Sequence, residues 1–210
     1  DEAAELVEVG DPITFSSELC ELQGSRLTAR GMDNRIGTWS AAEGLRRAVE
    51  ADVDPTVYAV STVQEELGIK GAQMVGFDLD PDAAIAVDVT HATDNPDVPG
   101  DKQGPVELGE GPVVSRGSAN HPRAVELTRA AADAADIEIQ LQATGTRTGT
   151  DADGFYTSRG GIPSLNIGLP NRYMHTPVEV IDTEDLDAVA ALLGAIATRA
   201  DEIDSFAVDI

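Results

Sequence analysis

Cysteine is nearly absent from this chain of 210 residues: Cys20 stands alone, which rules out a disulfide framework or a thiolate zinc knuckle within one chain. No run of about 18 apolar residues occurs, so no membrane-spanning helix is expected. The first five residues offer neither a basic end nor an apolar stretch; no secretory leader is expected, and the cytoplasm is the default location. Lysine is confined to Lys70 and Lys102, and aromatic residues make up 4%. Against 14 basic residues stand 38 acidic ones, a net charge of -24. That balance argues against nucleic acid and against an anionic membrane surface as partners. It suits a site that gathers cations. Because the acids are spread along the whole chain, it suits even better a surface kept hydrated in concentrated salt, as in an extreme halophile.

What is present is the pattern of one α/β domain, long enough to bury a sizeable core. Trp39, Ala42, Leu45 and Val49, spaced by three and four, predict an amphipathic helix over 38–51. Residues 56–63 form a β-branched, nearly continuous apolar run after Pro55 and predict a buried strand. A short helix follows over 68–75, then a second buried strand over 83–89 and an Asp, Asn, Pro and Gly-rich loop over 93–104. Val113 and Val114 mark a short strand, and Ala124, Val125, Leu127 and Ala131 the inward face of a helix over 122–136. Residues 137–143 alternate as a half-buried strand does, and 163–167 make another strand. A closing helix over 182–203 begins at an Asp182/Thr183 cap with Glu184 and Asp185 in its first turn. Strands alternating with helices indicate a mixed, mostly parallel sheet flanked by helices, an αβα sandwich. Residues 1–30 break the pattern and read as small β-rich or loop structure.

Ligands in open α/β sheets bind outside the carboxyl ends of the strands, and several acids fall there. Glu65 and Glu66 follow the strand predicted at 56–63. Asp88 interrupts an apolar strand, where a buried acid needs a partner or a metal. Asp33 precedes the first helix, which it could simply cap. His175 lies in a loop with a proline at each end. Taken singly, adjacent glutamates are ordinarily a solvated surface, and a loop histidine is ordinarily just that. Together, three carboxylates and an imidazole are the oxygen and nitrogen donors that suit zinc, cobalt or manganese, with Glu65 left free to handle protons.

The segments 31–37, 62–68, 86–94, 149–152 and 170–179 resemble, in order and spacing, the M42 family of metallo-aminopeptidases, which build tetrahedral twelve-subunit particles. Val63-Gln-Glu-Glu-Leu-Gly68 and Arg172-Tyr-Met-His-Thr-Pro177 are the specific pair, and the resemblance covers nearly the whole chain. It implies a zinc-peptidase-like sandwich that hydrolyses N-terminal residues from short peptides with two divalent metal ions, zinc or cobalt. Asp33 would bridge the metals, Glu66 and His175 would complete one, Asp88 would bind the other, and Glu65 would be the general base. Asn34 would support the bridging residue, with the Asp33–Asn34 peptide bond cis. A homo-oligomer built from dimers, a dodecamer in the family, is implied as the partner.

The chain departs from the family in one respect. The family's remaining metal ligand is a histidine ahead of the bridging aspartate, whereas His91, His121 and His175 all follow Asp33. His91 could be imagined as a substitute; His121, beside Pro122, reads as a surface or capping residue. The simplest expectation is a chain that begins partway through the architecture. Residues 1–24 would be the tail of a β-barrel-like dimerisation domain, and 25–210 the catalytic domain without its early strands. One metal site would then be complete and its neighbour half-furnished. Two other readings stay open: an inactive unit that serves only assembly, and a glucanase-type hydrolase. The second wants carboxylates facing each other across a sugar, roughly 5–9 Å apart. A serine hydrolase lacks its Gly-x-Ser-x-Gly elbow.

Overall fold

The computed structural model describes residues 5–96, 98 and 104–206. In chain order the elements are β1 (Cys20–Glu21), β2 (Arg26–Ala29), α1 (Met32–Glu50), α2 (Lys70–Leu79), β3 (Ala84–His91), β4 (Val113–Arg116), α3 (Pro122–Ala134), β5 (Gln140–Ala143), α4 (Ala152–Tyr156), β6 (Ser164–Asn171), β7 (Glu179–Asp182) and α5 (Thr183–Arg199). A 3-10 turn at Ala200–Glu202 closes α5. Asp182 accepts from the Glu184 amide at 3.0 Å and caps α5 as its sequence predicts. Among the described residues no helix is long and apolar enough to cross a membrane.

The main sheet runs β3-β6-β4-β5. β3 and β6 are parallel, as are β4 and β5, while β4 and β6 are antiparallel, so the sheet is mixed as expected. β6 is its spine: all eight residues are buried, and Leu165, Ile167 and Leu169 are wholly so. They join Val89, Val114, Val125, Leu192 and Ile196 in one core, which α1, α3 and α5 close. A second, antiparallel sheet of order β1-β2-β7 sits beside it, and its last strand leads directly into α5. The stretch 93–104 falls partly outside the described residues.

Two expectations fail for physical reasons. The first helix does not bury the Trp39 face; Trp39 and Val49 are exposed, and Ile36, Ser40, Gly44 and Ala48 are turned inward instead. Close packing of α1 on α5 selects small residues over large apolar ones. A Cβ on Gly44 would stand 2.7 Å from Leu193 Cβ, and one on Gly194 would stand 2.9 Å from Arg47 Cβ. The run 56–63 enters no ladder among the described residues, and most of it is exposed. A β-branched run becomes a strand only when a neighbour takes up its amides and carbonyls. No described strand does so. A cavity of about 1020 Å³ lies there instead, lined by Val57, Val60 and Thr62 and by Ile85 and Val87 of β3.

Candidate metal centre

The site forms where the carboxyl ends of β3 and β6 meet the start of α1. Gly31 has φ 67°, and Asp33 (φ -76°, ψ 108°) and Asn34 (φ -125°, ψ 51°) are not helical, so the regular part of α1 begins after them. The peptide bond between Asp33 and Asn34 is cis. Asn34, not Asp33, caps the helix: its Oδ1 accepts from the Gly37 amide at 2.9 Å, while its Nδ2 donates to the Val87 carbonyl of β3 at 2.8 Å. Asp33 is thereby freed from capping and faces the cleft. A Cβ on Gly37 would lie 2.2 Å from Asn34 Oδ1 and 2.5 Å from the Val87 oxygen. Gly37→Ala is expected to break this brace at a cost of about 1–3 kcal/mol, read as a lowered melting temperature.

Asp33, Glu66 and His175 converge. His175 Nε2 lies 2.9 Å from Asp33 Oδ2 and 3.3 Å from Glu66 Oε1, and one donor atom from each residue falls within 4.8 Å of the others. Glu66 and His175 remain about three-fifths exposed, so a cation can reach them. His175 is held at φ 64° in the loop after β6. That loop is anchored by Arg172, whose guanidinium makes two hydrogen bonds, 2.7 and 2.6 Å, to Asp94 beyond the end of β3. Glu65 is half-buried just behind Gln64, which has φ 62°, and its carbonyl accepts from the Gly68 and Ile69 amides in the turn that starts α2.

Burial raises three carboxyls along the cleft, as it also raises that of Asp185 in the first turn of α5, to about 6. Burial, then Glu66, lifts the Asp33 carboxyl to about 6. Burial, then the Glu66 charge, lifts Glu65 to about 7. Asp88, 8% exposed in β3, is pushed to about 8 by burial, with Asp33, Glu65 and Asp151 adding to it; among the described residues its hydrogen-bond partner is the Val89 amide. Crowded acids that resist losing their protons are what a divalent cation relieves, so the donor set fits such an ion. Asp88 shares a cleft of about 590 Å³ with Asp33, Glu65, Glu66 and His175 but belongs to no three-ligand cluster among the described residues.

The other histidines do not join the cluster. His91 ends β3 at the exposed rim of the cleft. His121 stands at the N-cap position of α3 without capping it and meets Phe206 edge-on, ring centroids 6.1 Å apart. Two further acids lie outside the set that the sequence suggests. Asp151 accepts from the Thr62 hydroxyl behind Glu65, and burial raises its carboxyl. Glu179 opens β7 and is 1% exposed. The signal for Glu179 is the one that marks Asp88, an acid set against an apolar β-branched run.

The family profile described as M42 glutamyl aminopeptidase matches residues 1–192. A lysyl aminopeptidase of Pyrococcus furiosus is 34% identical over 183 residues, which are 87% of this chain and 51% of that protein. Among solved structures, an aminopeptidase from the archaeon Desulfurococcus kamchatkensis superposes with a TM-score of 0.84 at 33% identity, over 94% of this chain and 56% of that one. The Pyrococcus horikoshii TET1 peptidase, described as able to assemble into a tetrahedron or a large octahedral shell, gives 0.79 at 30% identity, over 93% and 57%. The chain thus spans about half the length of the relatives it matches.

Proposed function

Because this chain belongs to the M42 peptidase family, we propose that it carries the greater part of the catalytic centre of a metal-dependent aminopeptidase acting on the N-terminal residue of short peptides. The convergence of Asp33, Glu66 and His175, with the half-buried Glu65 next in sequence, carries the reading. Asp33, Glu66 and His175 would hold one divalent cation, zinc or cobalt, and Asp33 with Asp88 would contribute to a second. Once bound, such ions lower the pKa of water and polarise the scissile carbonyl. Glu65, half-buried beside Glu66, takes a proton from the attacking water at a carboxylate oxygen and passes it to the leaving amine. The surplus of carboxylates along the cleft attracts the free α-amino group of a peptide, which favours cutting from the N-terminus.

Residues 1–24 would be the end of a dimerisation domain and 25–210 the catalytic domain. The chain would work as a homo-oligomer, for which the exposed Val9, Ile13 and Phe15 supply apolar contact surface. The acid-rich surface is that of a protein working in concentrated salt. Zinc- or cobalt-loaded protein is expected to hydrolyse leucyl-, glutamyl- or lysyl-p-nitroanilide, and a chelator to stop it. No hydrolysis of any of the three, with metal bound, would rule out the enzyme reading for this chain. It would favour an assembly unit, the reading supported by the absence of a three-ligand set around Asp88 among the described residues.

A further inference from the structure

We infer that Glu179 is a positioning residue that sets the distance between the two backbone segments carrying Asp33 and His175. The inference rests on the proposed metal reading for its purpose, though its geometry does not. Glu179 Oε2 accepts from the Met32 amide at 2.6 Å, the residue directly before Asp33. Its Oε1 accepts from the amide of His175 itself at 3.2 Å, and from Asn171 Nδ2 at 3.5 Å. One carboxyl group therefore grips both ligand-bearing segments, one on each oxygen, from 147 positions away in sequence in the case of Met32.

An ordinary structural acid does not look like this. Glu179 is 1% exposed, and among the described residues it makes no ion pair with lysine, arginine or histidine. A buried carboxylate left without a countercharge is costly unless something else supplies one. A cation at Asp33 and His175 would supply it from beyond the two amides. The segments also need a restraint. Gly31 and His175 both stand at positive φ, and no side-chain cap holds the first turn at Gly31. All three partners of Glu179 are donors, so an amide in its place would turn a fourth donor toward them.

The side chain hangs from the strand β7, which pairs with β2 in the register Ala29↔Glu179. β2 runs directly into Gly31 and Met32, so the clamp and the clamped segment belong to one ladder. Ligand supports of this kind change metal affinity by roughly 10–100-fold when removed.

The test compares the full chain with Glu179→Gln and Glu179→Asp, by cobalt titration and by amide exchange of the metal-free proteins. The parent is expected to take up cobalt with a visible spectrum typical of an imidazole and carboxylate site. Both variants are expected to bind it roughly 10–100-fold more weakly, with an altered band. Faster exchange at Met32 and His175, with the core amides of β6 unchanged, is expected in both variants. Glu179→Asp keeps the charge but loses reach, so normal binding there would overturn the positioning role and leave only a charge effect. Parental affinity, spectrum and exchange in Glu179→Gln would overturn the inference entirely. If the parent itself takes up no cobalt, the metal reading fails. The exchange at Met32 and His175 then still decides the clamp: accelerated exchange upholds it, unchanged exchange rejects it.

Discussion

Glu65→Gln is expected to lower kcat for aminoacyl-p-nitroanilide hydrolysis by about 10²–10⁴-fold while metal content and KM stay near those of the parent. Glutamine matches glutamate in size, so the turn before α2, in which Gly68 and Ile69 donate to the Glu65 backbone carbonyl, is unaffected. What disappears is the group able to receive a proton near neutral pH. In the metal-free protein burial and the flanking Glu66 raise that group to about 7; a bound cation would draw it back down, toward a carboxylate ready to accept a proton from water. Glu66→Gln is the contrast. Glu66 reaches His175 Nε2 at 3.3 Å and shares its cluster with Asp33, so its loss should appear first in metal affinity. Equal loss of metal in both variants would place Glu65 among the ligands and remove it as the base.

The metal-free protein is expected to lose stability as pH rises from about 4 to about 8. Asp33 at about 6, Glu65 at about 7 and Asp88 at about 8 all stand above their ordinary carboxylate values. Each therefore binds more protons folded than unfolded across that window. Stability falls with pH wherever the folded state holds the extra protons. Their contribution is fully present below about pH 4 and is lost progressively as the pH passes the folded values. A tenfold change in the acid constant of one carboxyl is worth roughly 1.4 kcal/mol at most, and the partly exposed Glu65 contributes less than that because solvent screens it. Zinc or cobalt should flatten the profile, since the cation takes over the charge that the protons had neutralised. Thermal melts at pH 5 and pH 8, with and without metal, measure both effects; a metal-free protein more stable at pH 8 would contradict the burial of these acids.

Long periodic elements are legible in the sequence because their periodicity and their burial have the same cause. The inward face of α3, the cap of α5 and the first half of β6 follow from residue pattern alone, whereas β6 runs on through Pro170 to Asn171, which read as loop. The face of α1 does not, because the close approach to α5 rewards Gly44 and Ser40, which carry little hydrophobic signal, over Trp39 and Val49. Residues 56–63 read as a buried strand because hydrophobicity reports an appetite for burial and says nothing about whether a hydrogen-bonding neighbour is at hand. In the site, Asp33, Glu66 and His175 can be picked out by residue type and motif, and the structure brings them together. Asp88 can be picked out as an anomaly in its strand, yet it stays outside that cluster. Glu179 cannot be assigned a role from sequence, because what defines it is a pair of amides, one of them far away along the chain.

That distance has a consequence for when the protein can come into being as a working object. β2 pairs at once with its neighbour β1 but meets β7 only much later, and the Met32 amide finds its acceptor in Glu179, 147 residues on. Contacts so distant must meet the entropy of closing a long loop before they return any stabilisation, and they form late and slowly compared with neighbouring helices. On a ribosome, the segment that carries Asp33 would emerge well ahead of the strand that orders it. A chain interrupted before β7 could assemble much of β3 and α1, yet the first acid of the site would be held only from the Asn34 side, by its bond to β3. Synthesis through β7 is thus what supplies the second anchor of the segment that carries Asp33.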